Sequence, residues 1–296
     1  MKLADLAYYS YRSIKYQCGS KSPLIASIKL TYECNMSCIH CPWTDLPHES
    51  VVRADRWGKV LNELKKRGVR IVFLEGGETT LHPDLSKIID LAKDIGLRVG
   101  VNTNGSNDLA SYSPDCFIVS VDGDKKTHDL IRGNGSYDRM MANCSTTRVR
   151  KIGLMTISRA NMNQVEEFIT NNIEDSYFDA LGFTIAYPVG KVIDNDIDMS
   201  KEEIDLVYSH IEKHKDRLDI INSKPSITTK EWKCRPWFVD VATPDGKIAP
   251  DGECLVTVSG EEKDCSKCNA GCYKEAMQIL NGNLEAWYLW NKYFFT

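Results

Sequence analysis

Three closely spaced cysteines have the clearest chemical potential in this sequence: Cys34, Cys38 and Cys41, in the order C-x3-C-x2-C. Cysteine thiolates are the usual ligands of iron–sulfur clusters, so one short loop can hold three corners of a cubic cluster. The fourth iron then lacks a protein ligand, and an open coordination position is typical of catalytic metal sites. The loop therefore predicts a metal centre that binds a small molecule. A zinc site with its fourth ligand elsewhere is the alternative.

Strand and helix patterns that alternate from residue 25 onwards must position this loop. Such alternation is typical of βα units in a parallel sheet. The cysteine loop comes directly after the first strand, and in parallel barrels the chemistry lies at the carboxyl ends of the strands. We therefore predict an α/β fold, a partial (β/α)6 TIM-like barrel with a small C-terminal extension. The predicted strands are 27–33, 70–74, 98–102, 117–121, 152–157 and 180–185.

Glycine-rich and polar stretches end three of these strands. Gly76 and Gly77 follow the second strand, and two glycines let the backbone approach a ligand closely. Glu78 can accept a charge-assisted hydrogen bond from an ammonium group. The third strand ends at 102–105 with Asn-Thr-Asn-Gly, and the fourth ends at 120–123 with Ser-Val-Asp-Gly. Each stretch alone is equally a turn, but at successive strand ends they predict a ligand pocket.

The cysteine loop resembles the signature of the radical SAM superfamily, and the strand-end stretches resemble that family's GGE, TNG and S-[IVL]-DG motifs. The resemblance implies a [4Fe–4S] cluster on the three cysteines, with its free iron chelated by S-adenosylmethionine. Thr79 replaces the proline of the usual GGEP motif, and His40 fills a position that is often aromatic. The cofactor-binding residues that the resemblance implies are Gly76, Gly77, Glu78, Asn102, Asn104, Ser120, Arg132 and Thr156.

The resemblance also implies roles for single side chains. Ser120 is expected to touch the ribose of the cofactor, and Arg132 or Arg159 is expected to meet its carboxylate. His128 belongs to the same motif as Arg132. Ser158 and Asn161, after the fifth strand, resemble a segment that contacts the cofactor, although Asn161 could equally be a helix cap.

A second group of cysteines surrounds a predicted hairpin turn at residues 244–250. It resembles the Twitch or SPASM region, which carries an auxiliary [4Fe–4S] cluster in many radical SAM enzymes. A full SPASM region needs more cysteines, so the resemblance implies one auxiliary cluster with four thiolate ligands. We expect Cys272 to be the cysteine left over, and a zinc site is the alternative, since C-x2-C spacing also suits zinc. The group consists of Cys234, Cys254, Cys265, Cys268 and Cys272.

Composition excludes several classes of protein. The formal net charge of -4 over 296 residues, without a long basic run, argues against a nonspecific nucleic-acid binder. No stretch of about 18 apolar residues exists, so we predict no membrane span. The N-terminus lacks the shape of a signal peptide, and we expect a cytoplasmic protein. Eleven cysteines that cluster indicate metal binding, and only Cys18, Cys116 and Cys144 are expected to be ordinary core or surface residues.

These features together predict a radical SAM enzyme. The resemblance implies reductive cleavage of S-adenosylmethionine to a 5′-deoxyadenosyl radical, which abstracts hydrogen from a substrate C–H bond, with flavodoxin or ferredoxin as electron donor. We expect a small-molecule substrate; a peptide- or protein-modifying maturase and a non-catalytic zinc or iron–sulfur binding module are the alternatives. The predicted regions are an N-terminal helical segment (1–24), the barrel (25–222) and an auxiliary-cluster region (223–296), whose aromatic last helix should pack across the open side of the barrel.

Overall fold

The computed structural model describes residues 3–43, 51–187, 191–229, 234–250, 254 and 268–294. Its strands are β1 (Ile25–Thr31), β2 (Ile71–Gly76), β3 (Arg98–Thr103), β4 (Cys116–Ser120), β5 (Lys151–Ile157), β6 (Ala180–Ile185), β7 (Val239–Thr243) and β8 (Lys247–Ile248). Its α-helices are α1 (Leu3–Gln17), α2 (Ala54–Arg67), α3 (Leu85–Asp94), α4 (Lys125–Arg132), α5 (Ser136–Thr146), α6 (Val165–Asp175), α7 (Lys191–Asp194), α8 (Lys201–His214), α9 (Lys224–Thr228), α10 (Gly271–Leu280) and α11 (Leu284–Phe294). None of these helices combines the length and hydropathy that crossing a membrane requires.

Within the described residues the strands form one sheet in the order β6-β5-β4-β3-β2-β1-β7-β8. Every neighbouring pair is parallel except the β7–β8 hairpin. Parallel neighbours require crossover connections, so the carboxyl ends of β1 to β6 all lie at one end of the sheet. The six strands and the α/β partial barrel predicted from the sequence are confirmed, with strand ends shifted by one or two residues.

β7 is a strand that the sequence did not assign to the barrel sheet. It pairs parallel with β1, with Ile25 opposite Val239. The predicted turn at 244–250 does close a hairpin, because β8 pairs antiparallel with β7. The hairpin thus extends the barrel sheet beyond β1, whereas the predicted boundary had placed it in the C-terminal region. An unpaired β1 edge would expose backbone hydrogen-bonding groups, which β7 satisfies.

The strands supply two hydrophobic cores, since successive side chains of a strand point to opposite faces. The outer core lies beneath α2, α3, α6 and α8, and it includes Ile28 of β1, Leu74 of β2 and Trp57 of α2. The inner core lies between the other face of the sheet and helices α10 and α11, and it includes Ile25 and Ile71 near the amino ends of the strands. The carboxyl ends of the strands are left for polar side chains on the inner face.

The aromatic rings of α11 fill this inner face. Trp290 and Phe294 each meet the ring of Phe73 edge to face, with ring centroids 6.2 Å and 5.3 Å apart respectively. α1 packs against α10 and α11, and Tyr9 stacks on Trp287 with centroids 5.7 Å apart. The sequence predicted that this last helix packs across the open side of the barrel; the structure places Trp290 and Phe294 against the inner face of the sheet.

Candidate active site

Gly76 and Gly77 fix the start of the cysteine loop. The Gly77 N–H donates to the carbonyl oxygen of Thr31 at 2.7 Å, and the Glu78 N–H donates to that of Glu33 at 2.8 Å. A Cβ on Gly76 would lie 2.1 Å from the Thr31 oxygen, and one on Gly77 would lie 2.1 Å from the Glu33 oxygen. Both positions therefore require glycine, because any side chain would push the loop away from the end of β2.

The Glu78 carboxylate is fully buried and ties β2 to β3. Its Oε1 accepts from the Thr103 hydroxyl at 2.7 Å and from the Thr80 N–H at 3.0 Å. Its Oε2 accepts from the Asn104 N–H at 2.7 Å. Glu78 does not line the cavity beside the cysteines, so its predicted bond to a ligand ammonium stays a prediction. In the structure, these hydrogen-bond donors to the carboxylate all belong to the chain itself.

Cys34, Cys38 and Cys41 line one cavity of about 220 Å³. Burial raises the pKa of Cys34, and it raises the pKa of Cys38 to about 11. Metal binding requires the thiolate, so a metal must displace the proton of these thiols as it binds. Among the described side chains, no three His, Cys, Asp or Glu residues meet in the geometry expected around a single metal ion.

Arg132 is the cation next to the cysteines. Its Nη1 lies 3.9 Å from the Cys38 Sγ, and its Nε donates to the Asp122 carboxylate at 2.5 Å. Burial works against ionisation of Asp122, but Arg132 holds the pKa of that carboxyl below its ordinary value. Burial lowers the pKa of His40 to about 4, so this imidazole, which lines the cavity 4.0 Å from Asp122, is neutral near pH 7. The loop thus faces the fixed positive charge of Arg132.

The structure separates the other residues predicted at the site into two sets. Ser158 and Asn161 are fully buried behind the strand ends, where the Asn161 side chain accepts from the Ser158 N–H at 2.8 Å. His128 and Arg159 also lie outside the cavity lining, and Arg159 is exposed and pairs with Glu203 at 3.2 Å. The predicted residues that do line the cavity with the three cysteines are Gly76, Gly77, Asn102, Asn104, Ser120, Arg132 and Thr156.

Lys29 and Glu75 line the same cavity, and the sequence reasoning missed them. They are register partners on β1 and β2, and the Lys29 Nζ lies 3.0 Å from the Glu75 Oε1. The Lys29 ammonium also lies 4.6 Å from the centre of the Trp43 ring. A lysine in the middle of the apolar strand β1 was the available signal, because a charged side chain is rarely buried without a partner.

The structure brings three of the C-terminal cysteines near one another. Cys272 lies in the first turn of α10, and its pKa is raised by burial and further by the negative charges of Glu75, Cys268 and Cys254. Cys234 packs against the same inner core. Cys272, which the sequence set aside, is therefore grouped with Cys254 and Cys268, while Cys265 lies outside the described residues.

The three isolated cysteines have the surroundings expected of them. Cys116 and Cys144 are buried in the inner and outer core respectively, and Cys18 is exposed. None of the three lines the cavity beside the cysteine loop. The burial of Cys116 and Cys144 and the exposure of Cys18 confirm the prediction that they are core or surface residues.

Known proteins resemble this chain in sequence. The model of the radical SAM superfamily matches residues 28–170. The mycofactocin maturase MftC of Mycobacterium tuberculosis is 28% identical over 193 residues, which are 61% of this chain and 49% of that protein. The sporulation killing factor maturation protein SkfB of Bacillus subtilis is 27% identical over 252 residues (77% and 60%), and the Fe-coproporphyrin III synthase of Methanosarcina barkeri is 26% identical over 212 (65% and 52%). The matched residues thus span 49% to 60% of the length of these three relatives.

Solved structures share its fold. Streptococcus suis SuiB bound to S-adenosylmethionine superposes with a TM-score of 0.68 at 15% identity, over 83% of this chain and 64% of SuiB. The structure of anSMEcpe with bound AdoMet and a peptide gives a TM-score of 0.62 at 16% identity, over 92% and 82% of the two chains. The family match over residues 28–170, the partial barrel and the cysteine loop at the end of β1 together identify a radical SAM domain in this chain.

Proposed function

We propose that this protein is an enzyme that cleaves S-adenosylmethionine reductively and uses the product to abstract hydrogen from a substrate C–H bond. One observation carries the proposal: Cys34, Cys38 and Cys41 share a cavity with Gly76 and Arg132 at the carboxyl ends of the parallel strands. Three thiols from one loop are the donor set of an iron–sulfur cluster with an open corner. The cavity beside them offers room for the ligand of that corner.

The chain's own residues would hold and tune the two groups. When bound, the [4Fe–4S] cluster and S-adenosylmethionine supply one-electron cleavage chemistry that side chains cannot perform. Arg132, oriented by Asp122, places a fixed positive charge beside Cys38, where it favours the thiolate and can meet a ligand carboxylate. The Asn104 amide, 4.0 Å from the Cys34 Sγ, supplies a dipole next to a second sulfur. Hydrogen bonds to the sulfurs are one means of setting a cluster's potential.

Formation of 5′-deoxyadenosine tests this activity. Anaerobically reconstituted protein, incubated with dithionite and S-adenosylmethionine, should form it. The triple variant Cys34→Ala, Cys38→Ala, Cys41→Ala should form none, while Cys18→Ala, at an exposed position away from the site, should keep the activity. Iron-loaded protein that binds S-adenosylmethionine but yields no 5′-deoxyadenosine would leave a non-catalytic binding module as the explanation.

We propose further that Cys254, Cys268 and Cys272 hold an auxiliary [4Fe–4S] cluster, with Cys234 or Cys265 as the fourth ligand. Supporting this, the first three lie within electrostatic reach of one another, and Cys272 lines the barrel interior. A cluster there could accept an electron from a substrate held between the two sites. Iron and zinc counts on the triple variant decide the metal: remaining iron supports the cluster, and zinc without iron contradicts it.

The substrate that we propose is a peptide, with a small molecule as the second candidate. Relatives of the chain include proteins named as maturases, and one SuiB structure contains a precursor peptide. The small molecule expected from the sequence keeps support from the relative named as a Fe-coproporphyrin III synthase. A mass change in a peptide encoded beside the gene would establish the first candidate. Flavodoxin or ferredoxin, which we propose as the cytoplasmic electron donor, should replace dithionite in that assay.

A further inference from the structure

A second cavity of about 160 Å³ lies in the barrel interior, next to the one beside the cysteines. The two share Glu75, Asn102 and Tyr187 in their walls, so a molecule in the inner cavity can reach the outer one. Trp290 and Phe294 of α11 form part of its apolar wall. The inner cavity is therefore placed to hold a substrate group while its neighbouring carbon faces the cofactor pocket.

Lys29, the lysine that lines the outer cavity among the described residues, is already neutralised. The Lys29 Nζ contacts the Glu75 Oε1, and the Ser27 hydroxyl donates to the same oxygen. The Glu75 Oε2 accepts from the Asn102 Nδ2 at 3.1 Å. This bond orients the Asn102 amide and leaves its Oδ1 buried without a donor. The wall thus presents an unsatisfied acceptor beside a carboxylate whose charge is paired.

Glu275 presents the second unsatisfied acceptor of the cavity wall. Its side chain is 4% exposed, and its Oε1 accepts from the Ser223 N–H at 2.7 Å and from the Ser226 hydroxyl. Its Oε2 has no hydrogen-bond partner among the described residues, and the Ser223 side chain lies close enough to lower the pKa of the carboxyl. Burial raises the pKa of Glu275 to about 7, so a nearby cation would stabilise its carboxylate form.

The lysines near Glu275 are engaged elsewhere. The Lys215 Nζ contacts Glu285 at 3.0 Å and donates to the carbonyl oxygens of Ile220 and Asn222. The Lys274 Nζ lies over the Tyr208 ring, 4.8 Å from its centre. Neither lines the inner cavity, so neither of these two lysines occupies the free oxygen of Glu275. A buried acceptor of this kind is unfavourable until a donor meets it.

We propose that the inner cavity binds a primary ammonium group of the substrate, carried on an aliphatic chain, with Glu275 and Asn102 as its acceptors. The inference rests on the proposed function, because it names the substrate group that the same site would take. Two unpartnered oxygens on a largely apolar wall suit a group with several N–H donors and a hydrocarbon body. An anionic group would face the carboxylates of Glu75 and Glu275 there, and Lys29 is already paired.

Binding of simple probes tests the inference without any turnover. Calorimetric titration of the anaerobically reconstituted protein with n-pentylammonium, n-pentanol and pentanoate compares three head groups on one chain. We expect n-pentylammonium to bind about tenfold or more tightly than n-pentanol, in line with a hydrogen bond to a charged group, and pentanoate not to bind. If the wild-type protein bound the alcohol and the ammonium equally well, or bound pentanoate, that result alone would overturn the proposal.

Glu275→Gln is the matched variant. The amide carbonyl can still accept from Ser223 and Ser226, whereas an NH2 group replaces the free oxygen and opposes an ammonium donor. We expect it to lose the preference for n-pentylammonium over n-pentanol. Glu212→Gln, which removes a carboxylate that pairs with Lys224 outside the cavity, should keep the preference. A folded Glu275→Gln protein with unchanged preference contradicts the inference.

The outcomes separate this inference from the proposed function. Ammonium binding without 5′-deoxyadenosine formation would refute the enzyme activity and keep the amine site. Conversely, 5′-deoxyadenosine formation without ammonium preference would refute the amine site alone.

Discussion

Arg132 and Arg159 carry the same guanidinium, and the sequence offered either one as the partner of a ligand carboxylate. Their surroundings separate them. Arg132 is 8% exposed and bridges Asp122 and Cys38, while Arg159 is 42% exposed and pairs with Glu203 in solvent. Water screens the second pair, so exposed pairs contribute little to stability. A buried pair that loses one partner leaves an uncompensated charge in a poorly solvated place.

We therefore expect Arg132→Met to lower the free energy of unfolding by about 3–5 kcal/mol, because Asp122 is then buried without its cation. Arg159→Met should change it by less than about 1 kcal/mol. Urea denaturation of both variants beside the wild type measures the difference. Losses of equal size would show that the Asp122 pair is not the stabilising contact that its burial indicates.

Gly77→Ala tests the close approach between β2 and the cysteine loop. The new Cβ would lie 2.1 Å from the Glu33 oxygen, so the loop must move, and overpacking of this kind costs about 1–3 kcal/mol. We expect lower stability and less iron bound per chain after reconstitution. Gly58→Ala is the control, since its Cβ on α2 would meet only the Leu91 side chain at 3.6 Å. Normal iron binding in Gly77→Ala would contradict the steric argument.

At the scale of elements, local sequence patterns predicted the strands and helix starts that depend on interactions between nearby residues. β1 to β6 carry apolar runs between turn residues, and a capping box of Ser200 and Glu203 forms at the start of α8. The cysteine loop and Gly76–Gly77 could be brought together from the sequence because both follow adjacent parallel strands. The pairing of β7 with β1 joins distant parts of the chain, and no local period encodes it.

The residues of the inner cavity wall could not be predicted from the sequence either, because they also come together through contacts between distant parts of the chain. Glu275 and Cys272 face the barrel interior because α10 packs against the inner face of the sheet. That placement comes from tertiary packing, which overrides what the residues of α10 show by themselves. Lys29 did carry a signal, but its partner Glu75 belongs to the next strand and becomes evident only from the register.

Glu275 also makes the contact between α9 and α10 sensitive to pH. Burial raises its pKa from 4.5 to about 7 in the folded protein. Between these values the unfolded chain has lost the proton while the folded one keeps it, so stability falls as pH rises and the loss is complete above about pH 7. The loss is on the order of 3 kcal/mol. Lys215 and Lys274 are the charged neighbours of this group, and Lys215 reduces the shift.

Glu275→Gln cannot ionise, so it should gain stability relative to the wild type at about pH 8 and show little of that gain at about pH 5. Urea denaturation at the two pH values measures the change. Glu212→Gln serves as the comparison, because its carboxylate lies at the surface beside Lys224. A constant difference between Glu275→Gln and the wild type across this range would mean that the carboxyl does not titrate there.

At the scale of the whole molecule, the two faces of the sheet have different roles: the outer face mainly stabilises the fold, and the inner face also shapes the cavities. Most of the core on the outer face lies away from the cavities, whereas the inner face and α11 form both a core and the wall of the inner cavity. Trp57 represents the first environment, with no exposed surface, and Trp290 the second, with 4% exposed. Replacing either tryptophan by alanine should therefore lower stability, but only the change at Trp290 should also alter the inner cavity.

Trp57→Ala and Trp290→Ala should each destabilise the protein by about 3–5 kcal/mol, because each removes a large buried side chain. Only Trp290→Ala enlarges the inner cavity, so only this variant should accept a bulkier primary amine, such as cyclohexylmethylammonium, that the wild type excludes. Unfolding in urea measures the first effect, and calorimetric titration with the two amines measures the second. If Trp57→Ala gained the bulky amine to the same degree, the change would reflect general loosening of the fold, and the assignment of α11 to the wall of the inner cavity would be wrong.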